Sequence, residues 1–191
     1  LPVAISYLPF SASGKRVAFI PTAANLDDDR WWIESDRSAL TKLGFLLDEI
    51  DIARTQGNEL SEKLRGVDLL FVCGGNTFYL LQEVRKSGFA KMLPTLFTRG
   101  IPYMGSSAGS LILGPTLATI GFLDDVSKAP DLETLDGLGF IPFVPFVHFF
   151  EIAIAAKCQR AQIVQRCRSV KIGINQALWF AVLDSSLKSM P

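Results

Sequence analysis

Two hydrophobic rhythms alternate along this chain. Short continuous apolar runs occur at Arg16-Val-Ala-Phe-Ile-Pro21, Leu46 to Ile52, Val67-Asp-Leu-Leu-Phe-Val72 and Ile101 to Met104. Between them, apolar residues recur three or four apart, the spacing of one face of a helix. Trp31, Trp32, Ile33, Leu40 and Leu43 make such a face and stop near Gly44, with Asp27, Asp28 and Asp29 placed where a helix N-terminus favours acids. A short helix is expected from Glu59 to Leu64, with Asn58 as its cap. Phe78 to Val84 begins another, and Phe89 to Thr98 a further one, which Pro94 either interrupts or sets in its first turn. Leu111, Ile112 and Leu113 open one more. Continuous apolar runs bounded by helical stretches are the pattern of parallel strands buried on both faces. The order predicts an α/β fold: a doubly wound, mostly parallel sheet with helices on both faces and right-handed crossovers.

After residue 113 the pattern loosens. Asp124, Asp125, Asp131, Glu133 and Asp136 suggest an exposed acidic segment, and Gly137 to Val147 reads as strand with loops. Glu151 to Cys167 is expected to be a helix, and Val170 to Ile174 and Leu178 to Leu183 a closing pair of strands. No repeat or linker breaks the chain, so residues 1–191 are read as a single domain.

Nineteen basic residues balance nineteen acidic ones, and no basic cluster stands out, which argues against nucleic acid or an acidic membrane surface as partner. The apolar stretches are too broken to span a bilayer. Leu1 to Phe10 lacks the charged start and small-residue cleavage site of a secretory leader. The odd set Cys73, Cys158 and Cys167 contains no C-x-x-C pair, so neither a disulfide framework nor a zinc site is expected, and a cytoplasmic location fits. His148 is the only histidine, which excludes a multi-histidine metal site.

The candidate chemistry sits at two glycine-rich turns, each following a predicted strand. Gly105-Ser-Ser-Ala-Gly109 is Gly-x-Ser-x-Gly between a strand and a helix, the pattern of a nucleophile elbow with Ser107 at its centre. The turn is sharp, and a side chain at either flanking glycine would collide with a neighbouring element. A serine nucleophile needs a base and oxyanion donors. His148 is the available base. The N–H of Ala108 is the expected first donor, and Gly75 or Gly74 the second, because glycines let an amide approach a substrate oxygen closely. Asn76 is a substrate-binding candidate and also a candidate helix cap. Cys73, beside the glycines, is a rival nucleophile, although a small buried hydrophobe is the commoner role at such a position.

Cys73-Gly-Gly-Asn-Thr-Phe-Tyr-Leu-Leu81 and Gly105-Ser-Ser-Ala-Gly-Ser110 together resemble the aspartyl dipeptidase (peptidase E) family of serine peptidases. Phe19-Ile-Pro-Thr-Ala23 and Leu135-Asp-Gly-Leu-Gly139 are similar to it too. The resemblance implies a class I glutaminase-like, three-layer α/β/α fold, a serine-type mechanism on short peptides, Asp-X dipeptides included, and no metal or other cofactor. Ser107 and His148 match its nucleophile and base, and the amides near Gly75 and Ala108 its oxyanion hole. The third triad member is usually an acid, yet Ile172-Gly-Ile-Asn-Gln-Ala-Leu178 holds none. Gln176 falls at its place, with Asn175, Glu151 or Asp184 as alternatives. Arg160 or Arg166 occupies the region of the family's substrate-reading arginine. A related acyl hydrolase of the cyanophycinase kind, or a binding homologue with impaired catalysis, is the alternative. A monomer or homodimer is expected.

Overall fold

The computed structural model describes residues 5–145, Val147 and residues 180–183. The backbone elements run β1 (Arg16–Ile20), α1 (Trp31–Lys42), β2 (Leu46–Glu49), α2 (Gly57–Lys63), β3 (Leu69–Val72), α3 (Thr77–Lys86), α4 (Phe89–Thr98), β4 (Tyr103–Ser106), α5 (Ala108–Leu111) and β5 (Phe180–Leu183). Single turns of tighter helix lie at Thr22–Ala24 and Val126–Lys128. The strands form one sheet in the order β2-β1-β3-β4-β5. The first four are parallel, and β5 pairs antiparallel with β4, Tyr103 opposite Leu183 and Ser106 opposite Phe180. This is the doubly wound arrangement expected, with its change of winding direction between β1 and β3.

Alternation along each strand divides the core in two. Val17 and Phe19 of β1, Leu69 and Phe71 of β3, and Met104 of β4 pack with Ile33 and Leu40 of α1. Phe19 and Phe71 stack there with ring centroids 5.6 Å apart. The opposite positions, Ala18, Ile20, Leu70, Val72 and Tyr103, pack with Leu60, Phe78, Leu81, Val84, Leu93 and Leu111 from α2 to α5. Each fully buried Leu, Ile or Phe side chain contributes about 1.5–3 kcal/mol through removal from water.

The strand ends differ from the sequence expectation for local reasons. β2 stops at Glu49, because Asp51 turns the chain: its Oδ1 accepts the N–H of Ala53 at 3.1 Å and the hydroxyl of Thr22 at 2.9 Å. β4 begins at Tyr103 and reaches Ser106, later along the chain at both ends than the expected Ile101 to Met104, since Pro102 has no N–H to give the ladder. α2 starts at Gly57, ahead of the expected Glu59, with Gln56 in place of Asn58 as its flanking residue. Pro94 neither ends nor begins a helix: α4 runs through it, with Phe89, Leu93 and Leu96 buried on one face.

The segment from Gly137 to Pro145 contains no regular strand. Its N–H groups at Leu138, Gly139 and Phe140 instead donate to the carbonyls of Ile112, Gly114 and Leu113 at 2.8, 3.0 and 2.9 Å. Pro142 and Pro145 bring no donors of their own. The acidic segment before it is fastened to α3. Asp131 N–H donates to Gln82 at 2.8 Å, and Arg85 donates to the carbonyl of Asp136 at 2.5 Å. The helix expected over Glu151 to Cys167 and the strand over Val170 to Ile174 lie outside the described residues. No helix among the described residues is long and apolar enough to cross a membrane.

Candidate active site

Three loops meet at the carboxyl edge of the sheet, following β1, β3 and β4. The last carries Ser107. Its backbone has φ 47° and ψ −109°, and it is the only non-glycine residue with positive φ among the described residues. An L-residue avoids this region by about 1–3 kcal/mol, so the surroundings must impose it. They do so through the flanking glycines. A Cβ on Gly105 would lie 2.5 Å from the carbonyl carbon of Gly109, and one on Gly109 would lie 2.2 Å from the carbonyl oxygen of Val72. α5 is therefore pressed against both its own strand and β3. Two hydrogen bonds hold it: Ser110 Oγ donates to the Gly105 carbonyl at 2.6 Å, and the buried Tyr103 hydroxyl donates to the Gly109 carbonyl at 2.7 Å. The Ser107 carbonyl accepts from the N–H groups of Ser110 and Leu111 at 2.8 and 3.0 Å. Ser107 itself is half-buried.

The loop after β3 stands directly against this serine. A Cβ on Gly74 would come within 3.1 Å of Ser107 Cβ, so only glycine gives an uncrowded approach. Gly75 has φ 145°, and a Cβ there would lie 2.3 Å from the carbonyl carbon and oxygen of Ala23. Gly74 thus faces Ser107, Ala108 follows Ser107 at the start of α5, and Gly75 packs against the loop after β1. Asn76 caps α3: its Oδ1 accepts the N–H of Tyr79 at 2.9 Å, and its amide nitrogen donates to the Asp125 carbonyl at 3.0 Å. Both ends of its side chain are engaged within the fold. Cys73 is fully buried, and burial above all, with the charge of Asp36 adding, holds its thiol well above the usual range. It is a core residue and not a nucleophile.

Several residues around the site were not legible as such in the chain. Asp124 reads as one of a run of exposed acids, yet it is half-buried and accepts from the N–H and hydroxyl of Thr77 at 3.0 and 2.5 Å, covering the start of α3. Asp27, in the loop after β1, lies close by. Burial raises its pKa; Arg30 opposes, while Asp124 and Asp28 add to the rise. Thr22 and Asn25 join Asp51 in a network that ties the β1 loop to the end of β2. Trp32 reads as part of an apolar helix face, yet its indole N–H donates to the Gly74 carbonyl at 3.2 Å. No local signal marks Asp124, because the helix start it covers lies 47 residues earlier. The bonds of Asn25 and Trp32 likewise join residues 26 and 42 positions apart. His148, Glu151, Arg160, Arg166, Asn175, Gln176 and Asp184 lie outside the described residues.

Comparison with known proteins agrees with the motifs. The model of peptidase family S51 matches residues 5–180. An uncharacterized peptidase of Listeria monocytogenes is 40% identical over 128 residues, covering 67% of this chain and 62% of that protein. A protein named peptidase E from Streptomyces coelicolor is 34% identical over 134 residues, covering 70% of this chain and 51% of that one. A solved structure of a candidate peptidase E protein from Listeria monocytogenes EGD-e superposes with a TM-score of 0.74 at 35% identity, over 81% of this chain and 78% of its own. The chain spans about half to two thirds of the length of the curated relatives it matches.

Proposed function

The chain belongs to peptidase family S51, and from that membership we propose that it is a serine peptidase acting on short peptides, with dipeptides carrying N-terminal aspartate the first class to test. The observation that carries the reading is Ser107, held at positive φ on a strand-to-helix elbow with Gly74 packed against it. Backbone strain of this kind, on a hydroxyl residue at the carboxyl edge of a parallel sheet, serves no packing purpose that glycine would not serve better.

In this mechanism Ser107 Oγ attacks the peptide carbonyl while its proton passes to His148, the only imidazole in the chain. The carbonyl oxygen becomes an oxyanion and is received by the N–H groups of Ala108 and Gly75. The C–N bond then breaks, His148 returns the proton to the departing amine, and water enters to hydrolyse the acyl-serine by the reverse roles. α5 is only one turn long, so oxyanion stabilisation rests on individual amides aimed at the oxygen and little on a helix dipole. Gln176 is the proposed partner for the second imidazole nitrogen. An amide there orients the ring but stabilises the imidazolium less than a carboxylate.

The test is hydrolysis of a dipeptide library, Asp-X members included, by the wild-type chain and by Ser107→Ala. The expected result is turnover of a narrow set of dipeptides that disappears in the variant. Equal rates would refute the serine mechanism. Binding without turnover by both proteins would instead favour an impaired binding homologue, the reading that the amide at 176 supports.

A further inference from the structure

We propose that Trp32 is a positioning residue for the oxyanion hole: its indole N–H holds the Gly74–Gly75 peptide in the one orientation that presents an amide to the substrate. The inference rests on the serine-peptidase reading above and adds a residue that lies outside both glycine motifs.

The argument begins with the peptide itself. Glycine at both positions leaves this unit with little steric preference, and it could rotate to expose either its N–H or its carbonyl to the site. The two alternatives are opposite in effect. An N–H stabilises a developing oxyanion, whereas a carbonyl oxygen in the same place repels it and blocks the neighbouring donor. A catalytic loop built from two glycines therefore needs an external restraint.

The structure supplies restraints on both sides of Gly75. The next peptide is fixed by Asn76 N–H, which donates to the Ala23 carbonyl at 2.9 Å. The Gly74–Gly75 peptide is fixed by Trp32 Nε1, which donates to the Gly74 carbonyl at 3.2 Å. All peptide bonds of the described residues are trans. In a planar trans unit the carbonyl of one residue and the N–H of the next point in opposite directions. With the Gly74 carbonyl drawn to the indole, the Gly75 N–H is directed away from α1. The elements packed on that other side of the sheet include α3 and α5, the latter beginning at Ala108. A Cβ on Gly74 would come within 3.1 Å of Ser107 Cβ, so the loop faces the serine closely and the amide after Gly74 is placed to reach an oxygen bonded at Ser107.

Trp32 is well placed to act as a fixed anchor. It is half-buried in the first turn of α1, packed against the core that contains Phe19, Phe71 and Cys73, and its ring meets Trp31 edge-on at 6.1 Å. Its neighbour Ile33 is buried, so α1 cannot rotate the indole away without exposing the core. Packing needs only the ring. The hydrogen bond needs the N–H, and the two can be separated by experiment.

Two replacements at position 32 make that separation: Trp32→Phe, and site-specific incorporation of 3-benzothienylalanine, which keeps the bicyclic shape and has sulfur in place of the N–H. Hydrolysis of the dipeptide Asp-Leu and labelling of Ser107 by a fluorophosphonate probe are measured beside wild type and Ser107→Ala, together with Tm and a crystal structure of Trp32→Phe. The expected result is a fall in kcat of about 10-fold or more, with KM changed by less than about 3-fold and slower fluorophosphonate labelling. That loss is smaller than the 10²–10³-fold seen when a donor itself is removed. The benzothienyl protein should keep the wild-type Tm, and the 74–75 peptide should be turned or mixed in Trp32→Phe. Unchanged kcat in both replacements while hydrolysis still requires Ser107 overturns the role of Trp32 alone. So does a loss confined to KM, or a peptide that keeps its orientation without the indole. Hydrolysis that survives Ser107→Ala overturns the serine mechanism and this role with it.

Discussion

Asp36 offers a quantitative test of how the α1 face is packed. Its side chain is 1% exposed, and neither carboxylate oxygen has a hydrogen-bond partner among the described residues. The adjacent cation gives no relief, since Arg37 pairs with Glu34 and Glu49 and lies over the Phe19 ring. Burial raises the Asp36 pKa from 3.8 to about 6. The folded state therefore holds this proton more tightly than the unfolded chain does. The stabilisation is fully present below the unfolded value and is lost as pH rises through the folded one. A shift of about 2 units is worth about 3 kcal/mol, of which about 2 kcal/mol falls between about pH 4.5 and 7.5. Asp36→Asn keeps the shape and cannot ionise. Urea unfolding of both proteins at several pH values across that window isolates the contribution, because every other titrating group is common to both. The wild type should lose about 2 kcal/mol more than the variant over this range, and the variant should be the more stable at neutral pH. Parallel stability curves would show that Asp36 finds a partner in the folded chain and that the burial argument is wrong.

Three further outcomes follow from the site. Ser107→Gly should be more stable than Ser107→Ala by about 1 kcal/mol, and so unfold at higher temperature, because alanine keeps the positive-φ strain that glycine relieves; equal Tm values would remove strain from the account of the elbow. Gly75→Ala places a Cβ 2.3 Å from the Ala23 carbonyl group and should lower kcat on Asp-Leu by about 10²-fold while also lowering Tm; wild-type kcat would exclude the Gly75 amide from the oxyanion hole. Gln176→Glu should raise kcat, since an imidazolium gains from a carboxylate partner; an unchanged or lower rate would move the third triad role to Asn175, Glu151 or Asp184.

Much of the architecture was readable from the chain because it depends on local rules. Short unbroken apolar runs such as Leu69–Val72 are typical of strands buried on both faces, and their alternation with helical spacing points to a parallel sheet. Gly-x-Ser-x-Gly and Gly-Gly-Asn-Thr announce turns whose backbone needs exclude side chains, so the elbow and the loop facing it were identifiable before any contact was known. What the chain could not disclose are relations between residues far apart in sequence. Tertiary packing alone decides that the carbonyl of Gly74 meets an indole 42 residues earlier, that Asp124 caps a helix 47 residues before it, and that nothing among the described residues compensates Asp36. Hydrogen bonds of this kind carry no periodicity. They arise only when the sheet has brought separate loops to one edge, where the direction of a single peptide, and the presence or absence of one partner, becomes a property of the assembled fold.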